Sequence, residues 1–257
     1  MFRVWQCSHR EPGLAGIRLL LSAIGQLFFP SSCLLCSVPL PGRPEVLFCP
    51  KCMGGIKFIH SPICPVCGRP FAAKGQPEHL CHTCLSKPYH FAKARAITFY
   101  DGPILEAIHR FKFGKKIIYA RTLAGLKSED GPFNLDQFDL FVPVPLHVKR
   151  LRQRGFNQTL LLLREWAGEE KEEKIDFTTL VRHRWTEPQT NLKHHERRKN
   201  IKGAFTVERP DKVRGKNILL CDDVFTTGAT VNECARVLKE AGAREVSVLT
   251  LARATAQ

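Results

Sequence analysis

Residues 218–230 read Ile-Leu-Leu-Cys-Asp-Asp-Val-Phe-Thr-Thr-Gly-Ala-Thr, an apolar run, two adjacent carboxylates and then a small hydroxylic turn. Each part has its own chemical use. Asp222 and Asp223 end the apolar run, and each carboxylate can accept hydrogen bonds from ribose hydroxyls. Thr226, Thr227 and Thr230 supply hydroxyl donors, and Gly228 lets the backbone wrap closely around a ligand. From Ala229 a helix begins, whose unpaired N–H groups and positive dipole end favour a dianionic phosphate. In this order the parts describe a site for a ribose 5-phosphate. The bland alternative is an ordinary strand and N-capped helix with a solvated Asp pair. It does not account for two adjacent acids at the end of a hydrophobic strand.

The surrounding pattern supplies the elements such a site needs. Val231, Cys234, Ala235, Leu238 and Ala241 recur at helical spacing before Gly242, which predicts a helix over 229–241. Strands are expected at 96–100, 139–144, about 217–221 and 246–251, and helices at 103–113, 117–126 and 155–166. Strands alternating with helices imply an α/β fold with a mostly parallel, doubly wound sheet, which binds ligands beyond the C-terminal ends of its strands. The 257 residues, 44% of them hydrophobic, suffice for one full core and a small accessory module.

Eight of the eleven cysteines form that module. They fall into four CxxC pairs: Cys33 and Cys36, Cys49 and Cys52, Cys64 and Cys67, Cys81 and Cys84. A CxxC turn aims two thiolates at one point, so two turns complete a tetrahedral zinc site without an open position. Two structural zinc ions in a double ribbon over 31–90 follow. His79 or His82 could replace a thiolate in the second ribbon. The rivals are a disulfide framework, which needs an oxidising compartment, an iron–sulfur cluster, which usually uses other spacings, and paired redox sites. Cys221 and Cys234 read as small core residues.

The net charge of +15 and pI near 9.5 point to polyanionic partners. Residues 109–121 carry Arg110, Lys112, Lys115, Lys116 and Arg121 without an acid, while Phe111 and Phe113 alternate through the same run. Residues 142–158 form a second basic segment, read as a loop in which Arg154, Gly155 and the following helix N-terminus suit a pyrophosphate. The polar stretch 182–192 and the basic stretch 196–205 read as loops able to close over a ligand. The apolar residues 14–29 are interrupted by Arg18 and Gln26, too short for a membrane span and without a signal-peptide pattern. An amphipathic helical segment over 1–30 and a cytoplasmic protein are expected.

Residues 218–230 resemble the motif with which type I phosphoribosyltransferases bind 5-phosphoribosyl 1-pyrophosphate (PRPP). Several motifs occur in a fixed order: the double ribbon, VPVPLH (142–147) with RGFNQ (154–158), PQTNL (188–192) with ERRKN (196–200) and GAF (203–205), and the 219–230 loop. This arrangement is similar to the ComF family of phosphoribosyltransferase-like proteins over about residues 20–253. The resemblance implies a type I phosphoribosyltransferase-like domain over 91–257. Asp222 and Asp223 would hold the ribose 2′ and 3′ hydroxyls and act in catalysis, and residues 226–230 would hold the 5′-phosphate. Mg²⁺ would bridge pyrophosphate and ribose oxygens. It further implies a part in natural competence, with single-stranded DNA and competence proteins as partners at the cytoplasmic side. Nothing in the sequence matches a purine or pyrimidine pocket, so the acceptor stays open. A metabolic phosphoribosyltransferase using a small nucleobase or amine, or a non-catalytic PRPP sensor, are the alternatives.

Overall fold

The computed structural model describes residues 31–42, 44–71, 77–114, 117–126, 133–186 and 199–254. The expected N-terminal amphipathic segment, Cys7, Lys115, Lys116 and the stretch 187–198 lie outside the described residues. Among the described residues six strands follow one another: β1 (Lys93–Phe99), β2 (Leu140–Pro143), β3 (Leu180–Arg182), β4 (Phe205–Val207), β5 (Asn217–Phe225) and β6 (Glu245–Arg253). The α-helices between or before them, among the described residues, are α1 (Pro50–Gly54), α2 (His82–Ser86), α3 (Gly102–Phe113), α4 (Ile118–Ala124), α5 (Val148–Arg154), α6 (Gln158–Ala167) and α7 (Ala229–Glu240). Strands β1, β6, β5 and β2 pair in that order into a parallel sheet, and β3 and β4 form a separate antiparallel pair.

The alternation of β5 and β6 assigns the two faces. Leu220, Val246 and Val248 pack with Val231, Cys234, Ala235 and Leu238 of α7 and with Phe205 of β4. Leu219 and Leu249 pack with Leu163 of α6, and Leu251 with α3 and α4. Helices therefore cover both faces, as in a doubly wound sheet. Helix α3 shows why periodicity found it: Ile104, Ala107, Ile108 and Phe111 make one buried stripe. Cys221 and Cys234 are fully buried.

Three expectations are corrected. The stretch read as a loop over 142–158 contains α5, a helix whose Val148 and Leu151 remain largely exposed. The following helix starts at Gln158, not at 155, because Gly155 closes α5 in the left-handed region (φ 83°) with its N–H bonded to Leu151 O at 2.8 Å. The polar stretch beginning at 182 likewise contributes a strand end, Arg182, and its partner strand resumes at Phe205.

The cysteine module consists of two copies of one unit. In each, a CxxC turn is straddled by an antiparallel bridge, Ser32 to Pro39 and Ile63 to Pro70, and the second CxxC opens a short helix, α1 or α2. The sulfurs of Cys33, Cys36, Cys49 and Cys52, and those of Cys64, Cys67, Cys81 and Cys84, each lie within 4.8 Å of one another. Facing pairs are 3.5 Å apart (Cys36, Cys49) and 3.6 Å apart (Cys64, Cys84 and Cys67, Cys81). A tetrahedral ion with Zn–S bonds of about 2.3 Å requires sulfurs roughly 3.8 Å apart, so both sets fit zinc. The ten described cysteines are free thiols, which removes the disulfide framework. His79 is engaged elsewhere, stacked on Phe71 at 4.1 Å. Burial alone would raise the thiol pKa of Cys33 and Cys64, but backbone N–H groups of the knuckles outweigh it and hold them at about 6 and about 7. Cys36, Cys52, Cys67 and Cys84 are shifted upward instead, chiefly by burial and by their neighbouring sulfurs, so in each set one thiolate is favoured and a bound metal would be needed to deprotonate the rest.

The ribbons are bound into the body. Residues 57–59 bond to the outer side of β1 through Ile59 N to Ile97 O and Phe99 N to Lys57 O, both 2.9 Å, and Ala94 N donates to Val66 O at 2.7 Å. Gly68 approaches β1 so closely that a Cβ there would sit 2.4 Å from Ala94 O. Arginines of the body then donate to carbonyls inside each knuckle. Arg110 of α3 reaches Leu34 O (2.7 Å) and Leu35 O (3.1 Å), and Arg253 of β6 reaches Cys67 O (2.6 Å). Cys33 and Cys49 belong to the cluster of α3 and α4, and Cys64, Cys67 and Cys81 to that of α7.

Because the ribbons share these cores, losing one metal should be felt throughout the body. Metal analysis of purified protein should give about two zinc ions per chain, and Cys33→Ser or Cys64→Ser about one. Each variant should also unfold at a lower temperature as a whole. Unchanged melting of a protein that had lost one zinc would show the ribbons to be independent appendages.

Candidate functional site

The end of β2 creates the crevice. Pairing between β2 and β5 stops at Pro143 opposite Cys221, and Val144 N makes a last bond to Cys221 O (2.8 Å) before the chain turns away into α5. On its other side β5 stays paired with β6, Asp222 opposite Thr250 and Val224 opposite Ala252. Asp222 and Asp223 therefore stand at the C-terminal end of the sheet with one flank open, where parallel sheets bind ligands.

Successive strand residues point to opposite faces, so the two acids meet different neighbours. Asp223, 6% exposed, pairs with Lys112 Nζ of α3 at 2.7 Å and accepts from Gln158 Nε2 of α6 at 3.1 Å. Burial pushes its pKa up, but Lys112, Gln158 and Arg154 more than offset this and hold it below the ordinary carboxylate value. Asp222 accepts from Asp223 N at 2.9 Å and has no such ion pair among the described residues. Burial, and then the charge of Asp223, raise it to about 7, against the opposing pull of that N–H, Lys112 and Arg182. One acid is thus ionised at neutral pH while the other is poised to gain or lose its proton.

The turn that follows is set by a close contact. Gly228 has φ 74°, and a Cβ there would lie 2.5 Å from Phe225 Cζ, so both conformation and space demand glycine. Thr227 Oγ1 accepts from Ala229 N at 3.3 Å, and Thr226, Thr227 and Thr230 are partly exposed around the N-terminus of α7. Phe225 is itself clamped by Arg253, whose guanidinium lies 4.4 Å from the ring centre. The same Arg253 holds Cys67 O, so the second zinc knuckle, one arginine and one ring form a continuous support beneath the turn.

Arg154 stands at the end of α5 beside the crevice, where burial lowers its pKa and the charges of Asp223 and Asp222 offset part of that cost. Its guanidinium lies 5.3 Å from the Phe113 ring centre. The N–H of Gly155 is engaged in the cap of α5, and the N-terminus of α6 is capped by Asn157, whose Oδ1 accepts from Thr159 N at 3.0 Å. Three residues that face the acids were not singled out from the sequence: Lys112, Gln158 and Arg182. Lys112 lay unmarked within a basic run, and Gln158 closed the RGFNQ motif. Of the two phenylalanines in that run, Phe111 is buried, whereas Phe113 is 61% exposed and packs on His109 with ring centres 4.7 Å apart.

Comparison with known proteins matches this arrangement. Residues 24–87 fit the double zinc ribbon domain and residues 171–257 the phosphoribosyl transferase domain. The DNA utilization protein YhgH of Salmonella typhi is 34% identical over 235 residues, covering 88% of this chain and 99% of that protein. Competence protein F of Haemophilus influenzae is 32% identical, with the same two coverages. Competence protein ComFC of Bacillus subtilis is 31% identical over 82% of this chain and 86% of its own length. With both domains present in this order and relatives matched over nearly their whole length, the chain belongs to the ComF family, a double zinc ribbon joined to a phosphoribosyltransferase domain.

Proposed function

We propose that this protein binds PRPP or another ribose 5-phosphate at Asp222, Asp223 and residues 226–230, and that it works on single-stranded DNA in natural competence at the cytoplasmic side. The observation that carries the ligand is the joint placement of an acid pair, Asp223 buried and Asp222 partly exposed, and a glycine-dependent turn at the open end of β5. The acids accept from the ribose hydroxyls, and the Thr hydroxyls with the α7 N-terminus take the 5′-phosphate. Arg154 stabilises negative charge on a departing pyrophosphate, which makes transfer of the phosphoribosyl group the reaction class the site suits. The oxygen-only donor set of Asp222 and Asp223 also fits Mg²⁺, which when bound neutralises pyrophosphate charge. Among the described residues no helix is long and apolar enough to cross a membrane.

Two observations support DNA as the partner. Relatives carry names for competence and DNA utilization. Beside the acid pair, Phe113 presents an exposed ring between His109 and Arg154, a surface suited to stacking a base next to a phosphate-binding cation.

Loss of charged hydrogen bonds worth about 1.5–3 kcal/mol each should make the double variant Asp222→Asn, Asp223→Asn bind PRPP at least about tenfold more weakly, with its fold intact. Calorimetry giving equal affinities would remove the ligand assignment. The raised pKa of Asp222 adds a pH signature. Its carboxylate form accepts the ribose hydroxyls, so affinity should climb as pH rises through about 7, by roughly tenfold between about pH 6 and pH 8. Asp222→Asn should abolish that part of the profile, leaving only the titration of the ligand's own phosphates. For the DNA role, log affinity for a single-stranded oligonucleotide should fall linearly with log salt, by about 0.7 per neutralised phosphate. Phe113→Ala should cost about 1–3 kcal/mol of that binding, more than it costs the binding of PRPP. A metal-replete protein that binds PRPP but no oligonucleotide at low salt would instead be a metabolic transferase, to be identified by pyrophosphate release with small nucleobases or amines.

A further inference from the structure

The end of the sheet opposite the acids is also hollow. Where β1, β5 and β6 begin lies a cavity of about 350 Å³, a volume within the range of small-molecule sites. Asp222 stands five residues further along β5 than Asn217 of the cavity wall, roughly 17 Å away at the rise of a strand. Strand β6 runs between the other two and provides the floor. Its Ser247 lines the cavity, only 2% exposed, and the hydroxyl has no hydrogen-bond partner among the described residues. A buried hydroxyl left unpaired carries a cost that a ligand would remove.

The two walls differ in chemistry. On the β1 side Lys93 and Arg95 are two residues apart and so share one face, with Lys93 opposite Ser247. Arg95 spends Nη1 on Pro65 O (3.0 Å) and Ala94 O (2.9 Å), which leaves Nη2 and Nε without hydrogen bonds among the described residues. On the β5 side residues 133–138 form the wall, and Asn217 holds them: its Nδ2 donates to Gln137 O at 3.5 Å, and its Oδ1 accepts from Arg244 Nε at 2.8 Å. Phe133 lies edge to face with Phe138, ring centres 5.6 Å apart, beside the Gln137 side-chain amide, which has no partner among the described residues. Two strand spacings, roughly 10 Å, separate β1 from β5. Cations on one wall and a ring with a free amide on the other call for a ligand anionic at one end and planar and hydrogen-bonding at the other. A bare anion would leave the aromatic wall unused, and an apolar molecule would strand the hydroxyl and the amide.

We infer that this cavity binds a nucleoside 5′-monophosphate, with its phosphate on Lys93 and Arg95, its ribose over Ser247 and its base against Phe133 and Gln137. The inference does not rest on the reading of the acid pair.

A nucleotide carries a ribose 5-phosphate that the crevice itself would take, so the test uses the full zinc-loaded chain with Asp222→Asn and Asp223→Asn. AMP, GMP, CMP and UMP are titrated separately by calorimetry, alongside inorganic phosphate and the four nucleosides. At least one mononucleotide should bind with one equivalent, at least tenfold more tightly than phosphate or its own nucleoside. Adding Lys93→Gln or Arg95→Gln should each weaken it at least tenfold. Should Arg95→Gln lose the second zinc, Lys93→Gln, at an exposed position, decides alone. Should the acid-pair variant fail to fold, Lys93→Gln in the otherwise wild-type chain should still remove one equivalent of nucleotide. No binding of any mononucleotide would overturn the inference, as would phosphate binding as tightly as the nucleotides or an affinity that Lys93→Gln leaves unmoved.

Discussion

Two adjacent carboxylates in the half-closed end of a sheet cannot both stay ionised unless cations are brought to them. The rest of the body answers that constraint. Lys112 arrives on α3, Arg154 on α5 and Arg182 on β3, three elements that meet only when the sheet has formed. The division of labour is unequal. Asp223 receives the direct ion pair and the Gln158 amide, and Asp222 is left with more distant charges, so one acid is fixed and its neighbour responds to its surroundings. A site built this way separates anchoring from response within two consecutive residues.

The ribbons take part in the same arrangement. Arg110, on the helix that carries Lys112, holds the first knuckle, and Arg253, on the strand beside the acids, holds the second. Each zinc site is therefore one arginine away from a residue of the crevice. Phe225 extends the second connection to Gly228, where the ring fills the place a side chain would need. Physically the cysteine module is part of the scaffold of the crevice, whatever else its outer surface does.

Much of this was legible in the sequence because its determinants are local. Acids, threonines and glycine at 222–230 occupy consecutive positions, and CxxC spacing encodes its own geometry. The apolar stripe of α3 and the continuous hydrophobic run of β5 also declared themselves. Helix α5 did not, since it shows four cations in seven residues and leaves its two apolar side chains largely in solvent. Nor did the roles of Lys112 and Arg182, which depend on what lies across the fold. A lysine in a basic run and an arginine before a polar loop carry no mark of the carboxylates that lie across the fold from them. Phe111 and Phe113 were equivalent in sequence, and only the facing of α3 told core from surface.

Strand order has a bearing on how the protein is made. Strand β6 lies between β1 and β5, yet it is the last of the sheet strands to leave the ribosome. Until then β1 has no neighbour within the sheet, and the backbone groups of 57–59 and Val66, synthesised earlier, are the partners already available to it. A nascent chain that has captured its zinc would thus hold β1 on one side while the other waits for β6. A chain lacking metal would present a strand bare on both edges, the kind of surface on which chains pair with one another. Metal supply during translation would then govern how much folded protein a cell obtains, independently of any chemistry at the acids.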